Sequence, residues 1–484
     1  MRWLTLVLLY VNVSWLTAQE PQMVIVKGHA PEYAGYHLVV QKVINPISME
    51  MADLMVISVQ KDGHFEQSVE ISSVVYAKID MGRYRAGIYF EPGKSYELVL
   101  PPFEPRSDAD RFNPYFIPED IELGIANGEA QKLNRLITDF DIELTHQYNT
   151  HAVSLFSKGD VRTANNIIQK LDEEFISESV YFEKYKQYAY GELLNLAYKR
   201  NKRKAMYLAM KGEPVHMFMP SFQKIFNTLF KSFFTSYFSS PKGNDLRDAY
   251  AKDASFDSLS MVLQKDTLFA NAELAELVLL KGCYDAFYSG RYNQDRIIKL
   301  FEEAKNTGTT LRIKDIANGL HKKVTWLRIG TEAPQFTLYR LDGKERSLDD
   351  YEGKFVYLNF MHTSNHTCKQ DLQLLNVLSK QLRREITIVT VIMDEHPSAA
   401  KKLVKDNKYK WDFLHFAAMP KVALDYRIKA LPTYFVIDPS QNLLISPSPS
   451  PSESFTPIFI EAQRRYNYEQ LRREQPKQKS IYDF

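Results

Sequence analysis

The stretch "FVYLNFMHTSNHTCKQDLQLL", residues 355–375, changes character twice over a short length of chain. Its opening run, FVYLNF, is almost wholly apolar, which predicts a strand that is buried on both faces. A short polar turn follows, and the apolar residues after it recur at helical spacing. Cys368 lies at this junction, where thiol chemistry normally needs a second cysteine in a Cys-x-x-Cys pair. The residue three positions earlier is Asn365, so a partner thiol is absent from the turn.

The region around this stretch, residues 327–473, alternates strand-like and helix-like segments. Besides the run at 355–360, the apolar run at 386–392 predicts a second buried parallel strand. A last amphipathic segment, at about 455–472, predicts a closing helix before the polar tail 474–484. Regular alternation of this kind predicts an α/β domain, in which helices cover the faces of a sheet.

Two other regions precede this α/β domain. Residues 22–105 alternate apolar and polar side chains, are rich in Val, Ile and Tyr, and predict a small antiparallel β-sandwich-like domain. Residues 106–120 are rich in proline and charge and predict a linker. Residues 121–326 place apolar side chains at i, i+3, i+4 and i+7, which predicts a helical domain without a fixed repeat. The chain is therefore expected to be multidomain α+β.

A stripe of aromatic residues runs through the helical region at helical spacing. Such a stripe can form a binding face, but it more often packs into a hydrophobic core, and we expect a core here. Its members are Phe222, Phe226, Phe230, Phe233, Phe234, Tyr237 and Phe238.

The N-terminus resembles an export signal. A positive start at Arg2 is followed by an apolar run over residues 3–11 and by a small residue, Ala18. This order predicts a secretory signal peptide, residues 1–18, cleaved after Ala18. A membrane anchor is the alternative, but Asn12 and Ser14 interrupt a run that is already short for a membrane span. We therefore expect an exported protein with no transmembrane span after cleavage.

Composition excludes several classes of function. The formal net charge of the 484 residues is +2, from 61 basic and 59 acidic residues, which gives no reason to expect nucleic-acid binding. Cys283 and Cys368 are the only cysteines, too few for a disulfide-built scaffold. In an oxidising compartment these two thiols could instead pair with each other as a disulfide between domains.

Four segments of the α/β region line up with one known family. The first is "GTEAPQFTLYRLDGKERSLDDYEGK", an opening hairpin; the second is FVYLNF; the third is "RIKALPTYFVID"; and the fourth is the turn "DPSQNLL". In their order and spacing they resemble the thioredoxin superfamily, specifically its exported TlpA/ResA branch, which is related to AhpC/TSA proteins. The resemblance makes Pro432 the cis-proline of this fold. The β region, through "DGHF" and "IYFEPGKSYELVL", is similar to domains that precede such modules in Bacteroidetes-type exported proteins.

The resemblance also assigns roles to the residues of the turn. In the family the first cysteine of Cys-x-x-Cys attacks and the second resolves the mixed disulfide. Residue by residue, Asn365 takes the attacking position and Cys368 the resolving one. Asparagine forms neither a thiolate nor a disulfide, so the resemblance implies a degenerate site without the two-thiol cycle. A peroxidase cycle is likewise not expected, because its cysteine would occupy the same position.

Without the two-thiol cycle, the resemblance still implies a binding function. The family's cis-proline loop pairs with extended peptides, and here it would comprise Leu431, Pro432 and Thr433, with His366 and Thr367 on the facing turn. This implies an exported protein of the periplasm or outer membrane of a Gram-negative bacterium that binds envelope proteins or extended peptides. No cofactor is expected.

Three alternatives remain open at this point. Cys368 could act alone as a single-thiol redox site, or it could be a small buried side chain. His362, His366 and Cys368 could hold copper or zinc, with His415 as a distant fourth ligand, although their spacing is not a standard one.

The acidic stretch 394–396 follows the second buried strand and is expected to be a solvated loop.

Overall fold

The computed structural model describes residues 20–106, 116–212, 214–416 and 420–474. These residues fall into two compact units, the first comprising 20–106 with 117–321 and the second beginning at 322. The predicted signal peptide, residues 1–18, lies outside the described residues, as do residues 475–484 of the predicted tail. No helix within the described ranges has the length and apolar character that crossing a membrane requires.

The first unit begins with a β-sandwich. Its strands are β1 (Gln22–His29), β2 (His37–Asn45), β3 (Glu50–Ser58), β4 (His64–Ile71), β5 (Val75–Met81), β6 (Tyr84–Phe90), β7 (Ser95–Val99), β8 (Glu119–Glu122) and β9 (Gly124–Ile125). One sheet has the order β4-β1-β7-β9 and the other β3-β2-β5-β6-β8. Alternate side chains of both sheets, such as Val24, Val26 and Ile79, point inward and form a shared core, as the period-two pattern predicts.

Most strand pairs of the sandwich are antiparallel, as predicted, and two are parallel. Strand β7 lies parallel to β1, and β8 lies parallel to β6. Each of these pairs joins strands that are separated by intervening chain rather than by a tight turn, so hairpin signals in the sequence do not reveal them. Strand pairing also extends to Ile125, past the predicted domain boundary at residue 105.

Helices follow the sandwich. They are α1 (Gly128–Thr150), α2 (Val161–Glu174), α3 (Val180–Ala197), α4 (Lys202–Met210), α5 (Pro220–Leu229), α6 (Phe233–Phe238), α7 (Asn244–Ala251), α8 (Phe256–Gln264), α9 (Ala272–Tyr288), α10 (Gln294–Thr307) and α11 (Leu311–Thr325), with a π-helical turn at Val153–Lys158. Several begin at a residue whose side chain accepts a hydrogen bond from a first-turn amide, as Ser179 does for α3 and Asn271 for α9. Helix α1 packs against β6, β7 and β9, so sandwich and helices form a single compact unit.

The aromatic stripe is core, as predicted. All of its phenylalanines are buried, and they pack ring against ring from α5 into α6. The backbone nevertheless breaks within this stripe: α5 ends at Leu229, and Ser232 adopts a left-handed conformation with φ of 53°. The helical spacing of the aromatic residues continues through the break. The Ser232 N–H donates to Asp285 Oδ2 at 2.8 Å, which holds this turn in place.

The second unit is a sheet covered by helices. Its strands are β10 (Thr337–Arg340), β11 (Glu345–Ser347), β12 (Val356–Met361), β13 (Thr387–Ile392), β14 (Asp412–His415), β15 (Thr433–Ile437) and β16 (Leu443–Ser448), and its helices are α12 (His366–Gln381), α13 (Ser398–Asn407), α14 (Pro420–Asp425) and α15 (Phe455–Glu474). The strand order is β11-β10-β14-β13-β12-β15-β16. Strands β12 and β13 are parallel and buried, which confirms the prediction from their apolar runs.

Alternate residues of β12 face two separate cores. Tyr357 and Met361 pack with α12 and α15, whereas Leu358 and Phe360 pack on the opposite face, with Tyr426 just after α14. Helices therefore lie on both faces of a mixed sheet, and the turn that leads from β12 into α12 opens at the carboxyl end of a central strand. This is a thioredoxin-like α/β domain, and the predicted fold class is confirmed.

Candidate functional site

The turn between β12 and α12 is organised by Asn365. Its Oδ1 accepts a hydrogen bond from the Cys368 N–H at 3.2 Å, so Asn365 is the N-cap of α12. Asparagine is among the preferred residues for this role because its side chain satisfies an amide that has no partner within the helix. The Asn365 N–H in turn donates to the His362 carbonyl at 3.1 Å, which closes the turn.

The same side chain reaches a second loop. Asn365 Nδ2 donates to the Leu431 carbonyl oxygen at 3.1 Å, and the peptide bond between Leu431 and Pro432 is cis. We call these two side-chain hydrogen bonds, to Cys368 and to Leu431, the Asn365 clasp. The clasp joins the start of α12 to the loop that enters β15.

The residues predicted to bind peptide lie around the clasp. His366 and Thr367 are exposed on the first turn of α12, and Leu431, Pro432 and Thr433 are half-buried. Thr433 pairs with Phe360 at the start of the β12–β15 ladder, and its hydroxyl donates to the Ala430 carbonyl at 2.6 Å. The structure therefore brings the turn and the proline loop together, as the family resemblance implies.

Cys368 points into the core and not into this surface. It is 1% exposed and packs with Leu372, Leu375 and Tyr434. Burial raises the pKa of its thiol to about 11, although a hydrogen bond with the His362 backbone acts in the opposite direction. At neutral pH a thiol with such a pKa is ionised in on the order of one molecule in ten thousand, so it is a weak nucleophile.

The two cysteines, for which a disulfide between domains was one open possibility, lie in different units. Both thiols are free, and each is buried in the core of its own unit. Cys283 lies within α9, where burial raises the pKa of its thiol to about 12.

The structure does not bring together the residues of the metal interpretation. Nowhere in the described ranges do three His, Cys, Asp or Glu side chains cluster closely enough to hold a metal ion. The proposed ligands point to different places: His366 is exposed, Cys368 is buried, and His362 Nδ1 accepts hydrogen bonds from the Ser364 amide and hydroxyl. His415 donates to the Asp394 carbonyl oxygen at 2.8 Å.

Asp394 is buried, which corrects the prediction of a solvated loop at 394–396. Its carboxylate accepts hydrogen bonds from the Thr363 N–H, at 2.8 Å, and from the Thr363 hydroxyl, and it lies 3.4 Å from His362 Nδ1. Asp394 therefore anchors the β12–α12 turn from the neighbouring strand. Glu395 and His396 are exposed, as expected. Because all three residues are polar, nothing in the sequence indicates that Asp394 alone is buried.

A second buried carboxyl, Asp371, was missed in the sequence. It lies one helical turn after Cys368 and accepts a hydrogen bond from the Tyr434 hydroxyl at 2.6 Å. Burial raises the pKa of this carboxyl. The signal available in the sequence was its position, since Asp371 occupies the same face of α12 as Cys368, Leu372 and Leu375.

Comparison with known proteins identifies the family of the second unit. The model of the AhpC/TSA family matches residues 329–444. The thiol-disulfide oxidoreductase ResA of Bacillus cereus (strain ATCC 10987 / NRS 248) is 33% identical over 124 residues, which are 25% of this chain and 69% of that protein. The chain belongs to the ResA/TlpA-like branch of the thioredoxin-like AhpC/TSA family. The thioredoxin-like protein YneN of Bacillus subtilis (strain 168) is 28% identical over 118 residues, 24% of this chain and 69% of YneN.

Solved structures also match this ResA/TlpA-like region. The thioredoxin domain of a thiol-disulfide oxidoreductase from Bacteroides vulgatus is 22% identical, and the match covers 28% of this chain and 98% of that domain, with a TM-score of 0.26. The match to the family model lies within the second unit. The β-sandwich and the helices of the first unit lie outside the residues matched by the family model.

Proposed function

We propose that this protein is an exported, non-catalytic member of its thioredoxin-like family that binds partner proteins in the cell envelope. The Asn365 clasp is the observation that carries the proposal. An amide that caps α12 and holds the Leu431 carbonyl occupies the position that the family resemblance gives to the attacking cysteine. Asparagine cannot form the mixed disulfide with which thiol-disulfide exchange begins.

The state of Cys368 supports the same proposal over a single-thiol redox enzyme. Reactive cysteines are accessible and have a lowered pKa. Cys368 has the opposite properties, since it is buried and its pKa is raised to about 11. The helix N-terminus, which would favour a thiolate, is outweighed by burial.

Binding would use the surface around the clasp. His366 and Thr367 are exposed beside the proline loop, where an extended peptide could pair with the backbone of residues 431–433. One lone pair of the Leu431 carbonyl oxygen is engaged by Asn365, but a carbonyl oxygen accepts two hydrogen bonds. A peptide can therefore be held there without opening the clasp, and no thiol is needed.

Export to the periplasm or the outer membrane rests on the signal-like residues 1–18. The test of location is fractionation of the native host followed by N-terminal sequencing. The expected first residue of the mature protein is Gln19. Recovery of the full-length chain from the cytoplasm would contradict export.

The experiment that tests the lack of catalysis is an insulin-reduction assay driven by dithiothreitol. The wild-type protein is expected to give no acceleration over reductant alone. Asn365→Cys restores Cys-x-x-Cys at a helix N-terminus and is expected to give measurable turnover. Asn365→Ser, which keeps a capping oxygen without a thiol, is the matched control and should stay inactive.

Two outcomes decide the assay. Wild-type turnover equal to that of Asn365→Cys would contradict a non-catalytic role, and so would loss of a real wild-type activity in Cys368→Ser.

The binding role is tested in the native host with a photo-crosslinking amino acid at position 366. A crosslinker at the exposed Lys401 on α13 is the control. Adducts at 366 and not at 401 are expected; the same adducts at both positions would contradict a specific binding surface.

A further inference from the structure

A cavity of about 270 Å³ lies between three helices of the first unit. Helices α1 and α3 each contribute one face at helical spacing, and α5 contributes its first turn. The cavity is small for a whole ligand but is large enough for one long side chain. The side chains on which the inference rests are Asp141, Tyr148, Tyr185, Glu192, Ser221 and Lys224.

Asp141 carries a negative charge in this cavity with few partners. Among the described residues its carboxylate accepts one side-chain hydrogen bond, from the Tyr185 hydroxyl at 2.7 Å. A carboxylate has about four acceptor sites, so most of them are open to a ligand. The nearby ammonium of Lys224 is paired with Glu192 at 2.8 Å, and it is therefore not a dedicated counter-ion for Asp141.

Two hydroxyl groups in the same cavity have no hydrogen-bond partner in the part of the chain that the structure describes. They belong to Tyr148 and Ser221, and both oxygens are buried. Ser221 is 6% exposed. Buried hydroxyls are ordinarily hydrogen-bonded, so a pair of unpartnered ones beside an open carboxylate indicates a place for a donor-rich group.

The walls of the cavity suit a delocalised cation. Tyr148, Tyr185 and Tyr188 line it from α1 and α3, and aromatic faces attract cations. A guanidinium group has five N–H donors and no acceptor, which matches one carboxylate and several hydroxyl oxygens better than an ammonium does. The ligand chemistry is therefore that of arginine.

We infer that this cavity binds an arginine side chain of a partner protein, with Asp141 as its counter-ion and with the Tyr148 and Ser221 hydroxyl oxygens as further acceptors. The site belongs to the first unit, outside the family match, and does not depend on the function proposed for the thioredoxin-like unit.

A larger cavity provides room for the rest of such a partner. It measures about 610 Å³ and lies between α1 and the strands β6 and β8. Asp141 and Thr145 line both cavities, so the two cavities adjoin at these residues. Tyr76 and Tyr89 form part of its wall, and apolar or backbone portions next to the arginine could pack there.

Binding is expected to weaken in acid. Burial raises the pKa of Asp141 to about 6. The charged or titratable groups facing it are Tyr185 and Glu192 from α3, Lys224 from α5, Glu122 from β8, Tyr76 from β5 and Tyr89 from β6. Below that pH the carboxyl is increasingly neutral and offers less attraction to a cation. The affinity for arginine should therefore fall between pH 7 and pH 5.

The test is calorimetric titration of the full secreted chain at pH 7.5 with Nα-acetyl-arginine methylamide. The matched probe is the corresponding citrulline derivative, which has nearly the same shape without the charge. Saturable binding of the arginine probe at millimolar concentration and at least tenfold weaker binding of citrulline are expected. Asp141→Asn, which can still accept from Tyr185, should weaken arginine binding by roughly tenfold or more.

The control variant is Glu143→Gln, on the same helix but outside the cavity, and it should bind like the wild type. Tyr148→Phe removes one proposed acceptor at almost constant volume and should weaken binding severalfold even if Asp141→Asn folds poorly. The inference is overturned if no arginine probe binds, if citrulline binds equally well, or if neither Asp141→Asn nor Tyr148→Phe changes the affinity.

Discussion

Asn365 organises the candidate site with both polar atoms of its side chain. Its amide carries a donor and an acceptor on opposite atoms, and the clasp uses both. A cysteine at this position has a weak sulfhydryl donor and could not make two such bonds. Under the proposed function, the side chain that stabilises the turn is also the one that excludes thiol exchange at this position.

Asn365→Ala is expected to lower the free energy of unfolding of the second unit by about 1–2 kcal/mol, because the N-cap and the bond to Leu431 are both lost. Asn365→Ser should lose less, since its hydroxyl can still cap α12. Trp326 and Trp411 are the tryptophans after the signal segment and both belong to the second unit, so urea unfolding followed by tryptophan fluorescence reports on this unit. His366→Ala is the control. Equal midpoints for Asn365→Ala and wild type would show that the clasp contributes no stability.

Asp141→Asn is expected to stabilise the first unit at alkaline but not at acid pH. The folded-state pKa of Asp141, about 6, lies above its ordinary value of 3.8, so the folded protein binds this proton more tightly than the unfolded chain. Stability is therefore lost as the pH rises from 3.8 to about 6, and above this range the ionised carboxylate opposes folding. Removing the charge should raise the free energy of unfolding by up to about 3 kcal/mol at pH 8 and little at pH 4.

Urea unfolding followed by far-ultraviolet circular dichroism at both pH values measures this difference. Asp139→Asn removes an exposed carboxylate from the same helix and is the matched control for the loss of one negative charge. A stabilisation by Asp141→Asn that is the same at pH 4 and pH 8 would contradict the assignment of the raised pKa to this carboxyl.

At the scale of elements, patterns confined to one segment were predictable and pairings between segments were not. Strands β12 and β13 are marked by continuous apolar runs, and helix α1 by its periodic buried face. The break between α5 and α6 is not visible because the aromatic spacing continues through it while the backbone turns at Ser232. The parallel pairing of β1 with β7 depends on long-range contacts that local periodicity does not encode.

The same distinction applies to the candidate sites. Asn365, Cys368 and Pro432 were identified because each lies in a contiguous motif. Asp394 was misjudged, since its burial is determined by Thr363 on another segment. The Asp141 cavity draws on three helices that are separated along the chain, and no motif spacing joins them.

The packing of α9 against α6 gives a prediction at this scale. Gly282 lies within α9, and a Cβ there would come 2.6 Å from the ring of Phe234. Gly282→Ala should therefore destabilise the first unit by roughly 1–3 kcal/mol through overpacking, despite the better helix propensity of alanine. Gly128→Ala, at the start of α1 with no atom within 4 Å, is the control and should be neutral or slightly stabilising. If Gly282→Ala unfolds like Gly128→Ala, the close approach of the two helices is wrong.

At the scale of the whole molecule, each of the two units has its own hydrophobic core. Each unit has its own buried cysteine, and both thiols are free. We expect two thiols per molecule to be alkylated in denaturant without any reductant, and almost none in the native protein at pH 7, because both sulfurs are buried and have a raised pKa. Peptide mass spectrometry of the labelled chain measures each site separately.

A thiol count that rises only after reduction would reveal a disulfide and overturn this description. Rapid native labelling at Cys368, with Cys283 as the internal control, would instead revive a single-thiol function. Melting temperatures with and without dithiothreitol should coincide, since there is no disulfide whose loss could loosen the unfolded chain.

The position of β12 in its sheet has a consequence for synthesis. This strand pairs with β13, which follows it soon after, but also with β15, and Val356 meets Ile437 only when most of the unit has been made. A nascent chain that has not reached residue 433 presents an apolar strand with one bare edge, which is a template for aggregation. The domain therefore cannot complete its central sheet until β15 has been made. Chains that end before β15 are expected to be bound by chaperones or degraded by proteases.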